Sequence, residues 1–155
     1  MSVFKVRAVE ASDMGEWLRM RLTLWPGNRQ ASFLNEMQEM LSNPQEFATF
    51  VAERPTGELG AFLEASLRRY ADGCDSGPVG YIEGWYVDPD LRRQGIGRQL
   101  VQAAEGWAIS RGCLEMGSDC ELENLMSWKA HLALGYQEAE RLIHFCKGLP
   151  SRSNP

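Results

Sequence analysis

The spacing of apolar residues changes several times along the chain, and each change predicts an element. In residues 3–9, Phe4, Val6 and Ala8 alternate with Lys5 and Arg7, the period of a strand. The run Ala11-Ser12-Asp13 then supplies helix-cap chemistry. Trp17, Leu18, Arg21, Leu22 and Trp25 recur at helical spacing until Pro26-Gly27 stops them, and Phe33, Met37, Met40 and Leu41 predict a second helix ending before Pro44. Residues 47–53 and 60–70 return to strand composition, joined by Arg54-Pro55-Thr56-Gly57. So short a turn predicts an antiparallel hairpin. Residues 71–78 are polar and turn-rich and read as an exposed loop, and residues 79–87 read as a third strand of the main sheet.

The helix that follows is the best specified, because Ile96, Leu100, Ala103, Ala104 and Trp107 form one apolar stripe and Gly112 supplies a stop. Residues 114–118 can return as a parallel strand. A further helix spans about 124–134, ended by Gly135, and residues 136–147 alternate in a way that predicts one or two terminal strands. Nothing in composition marks a repeat or an interdomain linker. The expectation is a single domain over residues 1–149 and a frayed tail over 150–155.

The 155 residues are 44% hydrophobic and 24% charged, as in an ordinary globular domain, with a net charge of −5. That acidity argues against a nucleic-acid or anionic-membrane surface and suits a cationic partner better. No run approaches the roughly 20 apolar residues of a membrane span. The N-terminus lacks the features of a signal peptide, so a cytoplasmic location is expected. Cys74, Cys113, Cys120 and Cys146 are scattered, without a CxxC pair and with only His131 and His144 beside them. Neither a metal site nor a disulfide framework is implied.

The chemistry concentrates in Arg92-Arg93-Gln94-Gly95-Ile96-Gly97, between a strand ending at Asp88-Pro89 and the amphipathic helix. Glycines let backbone approach a ligand closely, and the unpaired N–H groups and dipole of a helix start favour a phosphate anion. Arg92, Arg93 and Arg98 add positive charge there. The spacing fits neither the G-x-x-x-x-G-K-[ST] loop nor the G-x-G-x-x-G fingerprint, which disfavours ATP and NAD.

The pattern R-x-x-G-x-G after Val87-Asp88-Pro89, with Asn124 and Gly135-Tyr136 further on, resembles the GNAT acyltransferase superfamily over residues 4–147. The resemblance implies an α/β (α+β) fold, a mostly antiparallel mixed sheet splayed at the acetyl-coenzyme A site and flanked by about four helices. It also implies that Arg92, Arg93, Gln94, Gly95, Ile96, Gly97 and Arg98 hold the coenzyme A pyrophosphate and that Asn124 bonds the coenzyme A arm. A nearer likeness lies in Leu24-Trp25-Pro26-Gly27, Asp72-Gly73-Cys74-Asp75-Ser76, Tyr81-Ile82-Glu83-Gly84, Glu115-Met116-Gly117-Ser118-Asp119 and Ala133 to Arg141, which resemble the aminoglycoside 6'-N-acetyltransferases. This likeness implies an aminoglycoside acceptor, drug resistance and a homodimer, with the C-terminal strands exchanged or packed across it. It implies acceptor contacts at Trp25, Tyr70, Glu83, Asp119 and Glu140.

Gly84 after Glu83 predicts a β-bulge, which unpairs a ladder locally. The N–H groups of Trp85, Tyr86 and Val87 can then face the acetyl and pantetheine carbonyls, with Trp85 or Val87 serving the oxyanion. An ammonium ion must lose a proton before it attacks a thioester. Asp119, directly or through a held water, is the first choice of base and Glu83 the second, and either can instead serve as a cation ligand. The loop acids Asp72 and Asp75 can add to the negative field. Where many superfamily members carry a Tyr acid this chain has His131, either an acid for the departing thiolate or a structural residue. Cys113 and Cys120 flank the parallel strand without an activating neighbour, which favours direct attack in a ternary complex over a cysteine relay. The glycine loop speaks only for the donor. Acetylation of another small amine or a protein amino group, and a non-catalytic coenzyme A-binding module, stay open as alternatives.

Overall fold

A computed structural model describes residues 4–27 and 29–152. Contacts divide the chain into two compact units, Met1–Cys120 and Glu121–Pro155. The first holds a sheet of five strands, β1 (Lys5–Ala8), β2 (Phe47–Glu53), β3 (Leu59–Arg68), β4 (Val79–Val87) and β5 (Met116–Ser118), ordered as numbered. The β1–β4 pairings are antiparallel and β4–β5 is parallel. Among its described residues the unit also carries three α-helices, α1 (Met14–Leu24), α2 (Gln30–Ser42) and α3 (Ile96–Ser110). Val3, where the first strand was expected to begin, lies outside the described residues.

Cross-strand neighbours Val51, Phe62 and Tyr86 share one face of the sheet, where they pack with Trp17 and Met20 of α1 and Phe33 and Met37 of α2. The opposite face carries Trp85, whose indole meets Gly97 of α3. Helix α3 buries Ile96, Leu100 and Val101 against the sheet. Full burial of each contributes about 1.5–3 kcal/mol, against the roughly 1 kcal/mol by which Gly106 weakens the helix. Packing therefore holds α3. The expected strand 114–118 narrows to Met116–Ser118, with Leu114 exposed.

The second unit contains α4 (Leu125–Ala133). The Asn124 side chain caps it, Oδ1 accepting the Ser127 N–H at 3.1 Å, and Tyr136 N–H closes it onto the His131 carbonyl at 3.1 Å. Residues 136–147 form neither of the expected terminal strands. A strand exists only when a neighbouring edge takes its N–H and C=O groups, and alternation supplies the propensity without the edge. Among the described residues no helix is long and apolar enough to cross a membrane.

Candidate active site

Strand β4 carries the site because its two edges are paired unequally. Along β3 it is paired from Val79 to Val87, whereas β5 pairs only with Gly80, Tyr81 and Ile82. From Glu83 onward the β5 side of β4 is open, so the sheet splays there. At the same point Glu64 pairs with Gly84 while Ala65 pairs with Ile82, leaving Glu83 without a partner opposite. This is the bulge that a glycine inside a strand suggested. It shifts the alternation by one residue, so Glu83 joins Tyr81 and Tyr86 on the face covered by α1 and α2. Asp88 N–H donates to the Gly60 carbonyl at 2.8 Å. By alternation the Tyr86 N–H also points at β3, and the Trp85 and Val87 groups point to the open edge. The Val87 carbonyl does so visibly, accepting Arg92 Nε at 3.0 Å.

Gly84 cannot be larger in this setting: a Cβ there would lie 2.5 Å from Cη2 of Trp25. The Trp25 ring is held edge-on by Phe33 and Phe62, with centroids 6.0 and 6.4 Å away. Replacing Gly84→Ala is expected to destabilise the fold by about 1–3 kcal/mol through overpacking, read as a lowered urea midpoint. An unchanged midpoint would mean that Trp25 yields without cost.

Where β4 ends, Asp88 is gripped by Arg19 Nη2 at 3.1 Å and Arg54 Nη2 at 3.0 Å. Burial alone would push the Asp88 carboxyl up, but these donors bring it below its ordinary range. Arg54 also reaches Asp90 at 2.8 Å, which pins the entry to the glycine loop. In that loop Arg93 has φ 63° and Gly95 φ 80°. A non-glycine residue there costs on the order of 1–3 kcal/mol and marks a backbone shaped for a purpose. The left-handed turn forms a concavity of N–H groups that suits an anion. The first helical bond of α3 runs from Gln99 N–H to the Gly95 carbonyl at 3.1 Å. The N–H groups of Ile96, Gly97 and Arg98 precede it and face outward from the helix start. Arg92, Arg93 and Arg98 are exposed around them, and Gln94 Nε2 is tied to the Asp90 carbonyl at 3.1 Å. Residues and backbone together fit a pyrophosphate.

On the α1/α2 side lies a cleft of about 390 Å³ whose walls carry four glutamates, Glu36, Glu39, Glu64 and Glu83, against two arginines, Arg21 and Arg29, beside the rings of Trp25 and Phe33. Glu83 accepts Ser66 Oγ at 2.6 Å and both Arg68 Nε and Nη2, at 2.9 and 2.8 Å. Asp119 follows β5 directly. Because Ser118 pairs with Ile82, Asp119 and Glu83 stand at matching positions where the strands part. Tyr81 hydroxyl donates to Asp119 Oδ2 at 2.5 Å.

Below the cleft is a buried ion pair that sequence reasoning missed. Arg21 Nε lies 2.7 Å from Glu64 Oε1, Trp17 Nε1 donates to the same oxygen at 2.8 Å, and both charged side chains are at most 5% exposed. Burial raises the Glu64 carboxyl above its ordinary range, with Arg21 and Trp17 acting against it. Two opposite charges, each on an otherwise apolar face of its element, were the available signal. Arg68, Ser66 and Tyr81 were likewise missed as site residues, because only the strand register brings them to the carboxylates.

Tyr70 is exposed and donates to Asp72 Oδ1 at 3.2 Å. Its loop is anchored by Glu115, which accepts the Asp75 and Ser76 N–H groups at 2.9 and 2.8 Å. Burial pushes the Cys113 thiol up, the wrong direction for a nucleophile. In the second unit, Asn124 serves as the α4 cap, Glu140 is exposed, and His131 Nδ1 lies 2.7 Å from the Ser127 carbonyl.

A helix start shaped for a pyrophosphate, directly after a strand splayed at two carboxylates, is the arrangement of an acyl-coenzyme A-dependent transferase. The chain belongs to the acetyltransferase (GNAT) family, whose model matches residues 14–136, and is an acetyl-coenzyme A-dependent N-acetyltransferase. It is 46% identical over 146 residues to the aminoglycoside N(6')-acetyltransferase type 1 of Klebsiella aerogenes, covering 93% of this chain and 96% of that protein. It is 43% identical to the protein of that name from Acinetobacter genomosp. 13, covering 92% and 97%. Among solved structures, AAC(6')-Iy in complex with the bisubstrate analogue CoA-S-monomethyl-acetylneamine superposes with a TM-score of 0.90 at 37% identity, covering 96% of this chain and all (100%) of that one.

Proposed function

We propose that this enzyme transfers the acetyl group of acetyl-coenzyme A to the 6'-amine of an aminoglycoside, by direct attack in a ternary complex, and so confers resistance to such drugs. The observation that carries this reading is the pair of carboxylates, Glu83 and Asp119, at the point where β4 and β5 part beside an acid-lined cleft. A polycationic acceptor needs several anions to bind and one base to react. The named activity of the relatives supports the same acceptor.

In this reading Asp119, directly or through one water, takes the proton that the 6'-ammonium must lose before attack. The freed amine nitrogen bonds to the thioester carbon, and its second proton passes to the departing thiolate or to solvent. The Trp85 or Val87 N–H donates to the carbonyl oxygen as charge develops, an effect worth roughly 3–4 kcal/mol elsewhere. The carbon–sulfur bond then breaks and coenzyme A leaves as the thiolate. Glu83, already bonded to Ser66 and Arg68, acts as a cation ligand. The Trp25 ring, Tyr70 and Glu140 bind the sugars. Asn124 bonds the coenzyme A arm, and His131 stays structural.

The reading includes a single domain over residues 1–149, consistent with a family match running from 14 to 136, and a cytoplasmic location. It also includes a homodimer in which a second copy covers Leu142, Ile143 and Phe145, all exposed here. The test is thiol release with matched drugs bearing a 6'-amine or a 6'-hydroxyl. Turnover confined to the amine set is expected. No turnover with either set, despite acetyl-coenzyme A binding, would replace the drug with another amine or leave a module without catalysis.

A further inference from the structure

Tyr81 lies outside the cleft walls, 8% exposed, yet its hydroxyl is the one side-chain donor to Asp119 among the described hydrogen bonds. Three contacts fix the ring. A Cβ at Gly117 would lie 2.9 Å from Tyr81 Cδ2, so β5 runs flush against it. The Arg68 guanidinium lies over the ring, 3.5 Å from its centroid. Ala71 and Val79 pack at its side.

Asp119 is in the opposite situation: exposed, and one residue beyond a strand of three. Its carboxylate has little of its own to hold it in one rotamer, and a base misplaced by about 1 Å can lose roughly 100-fold in rate. Arg68 grips Glu83 while stacking on Tyr81, so one side chain connects the two carboxylates of the splay. Burial, and then Asp119, hold the phenol above its ordinary range. It therefore remains a donor at working pH.

We propose that Tyr81 is a positioning residue of the acetyl transfer, its hydroxyl holding Oδ2 of Asp119 so that Oδ1 is presented to the acceptor amine. The inference rests on the reading of Asp119 as the base. If Tyr81 merely fills the core, its ring matters and its hydroxyl does not. The substitution Tyr81→Phe separates the two, because it keeps every ring contact.

Steady-state kinetics of Y81F with a 6'-amine drug should show kcat lowered about tenfold, the value of one hydrogen bond to a charged group, with KM for acetyl-coenzyme A unchanged. In an Asp119→Asn background, followed by single turnovers at high enzyme concentration, adding Y81F should change the rate less than twofold. Loss of the same factor in both backgrounds, or full activity of Y81F beside a crippled D119N, overturns the role of Tyr81 and leaves Asp119 as the base. Parent-like turnover of D119N removes the base assignment and the inference with it.

Discussion

Replacing Asp119→Asn is expected to lower kcat by about 100- to 1,000-fold, within the range that general-base catalysis supplies. Asparagine has the same shape, and its carbonyl oxygen can still accept the Tyr81 hydroxyl, so the loss reports proton acceptance rather than collapse of the strand end. Glu83 is poorly placed to substitute. Its two oxygens already receive Ser66 Oγ, Arg68 Nε and Arg68 Nη2, all at 2.9 Å or less, so an incoming amine would have to displace one of these donors to reach it. Glu83→Gln should therefore act mainly on the acceptor KM, since it removes an anion from the cleft and leaves the proton route intact. Initial-rate kinetics on the two variants make the comparison. A D119N enzyme within threefold of the parent in kcat would mean that the amine gives its proton directly to solvent.

The local rules that made this site readable were strong ones. A glycine inside an apolar strand suggested the bulge, and the register places it at Glu83 and Gly84. An apolar stripe behind Gly95-Ile96-Gly97 suggested a helix start, and α3 begins at Ile96. The stripe itself was centred too far to one side: Val101 and Ala108 are buried, whereas Ala103 and Trp107 on its other edge are only partly covered. What stayed hidden depends on register between distant segments. Arg21 and Glu64 are separated by 43 positions and Tyr81 and Asp119 by 38. No spacing rule links such pairs: an apolar face around Arg21 or Glu64 hints that each is buried, but does not say which distant charge it meets. The terminal strands were over-read for the converse reason, because alternation in 136–147 reports a preference and a ladder needs an edge as well.

The largest stability effect should come from Glu64→Ala. Truncation leaves the Arg21 guanidinium, 5% exposed, without its buried counter-ion, a loss that costs about 3–5 kcal/mol. It also orphans the Trp17 indole N–H, for about 1–3 kcal/mol more. Against a total stability of about 5–15 kcal/mol, the variant should be partly unfolded at 37 °C. Urea unfolding at lower temperature would measure it, with the midpoint falling and the slope preserved. Removing both partners together, as Arg21→Met with Glu64→Leu, should recover the part of the loss due to the unpaired charge, because an apolar pair of similar volume has no charge to desolvate, and leave the part due to the Trp17 N–H. If the double variant is as unstable as the single one, packing rather than charge explains the effect. Activity should not recover with stability. Arg21 lies 5.2 Å from the Trp25 ring centroid and 4.6 Å from that of Phe33, and its Nη2 reaches Glu36 on the cleft wall at 3.1 Å. The buried pair holds a cation under the two aromatic rings that shape the cleft. A stable, apolar replacement should therefore keep its affinity for acetyl-coenzyme A and show a raised acceptor KM.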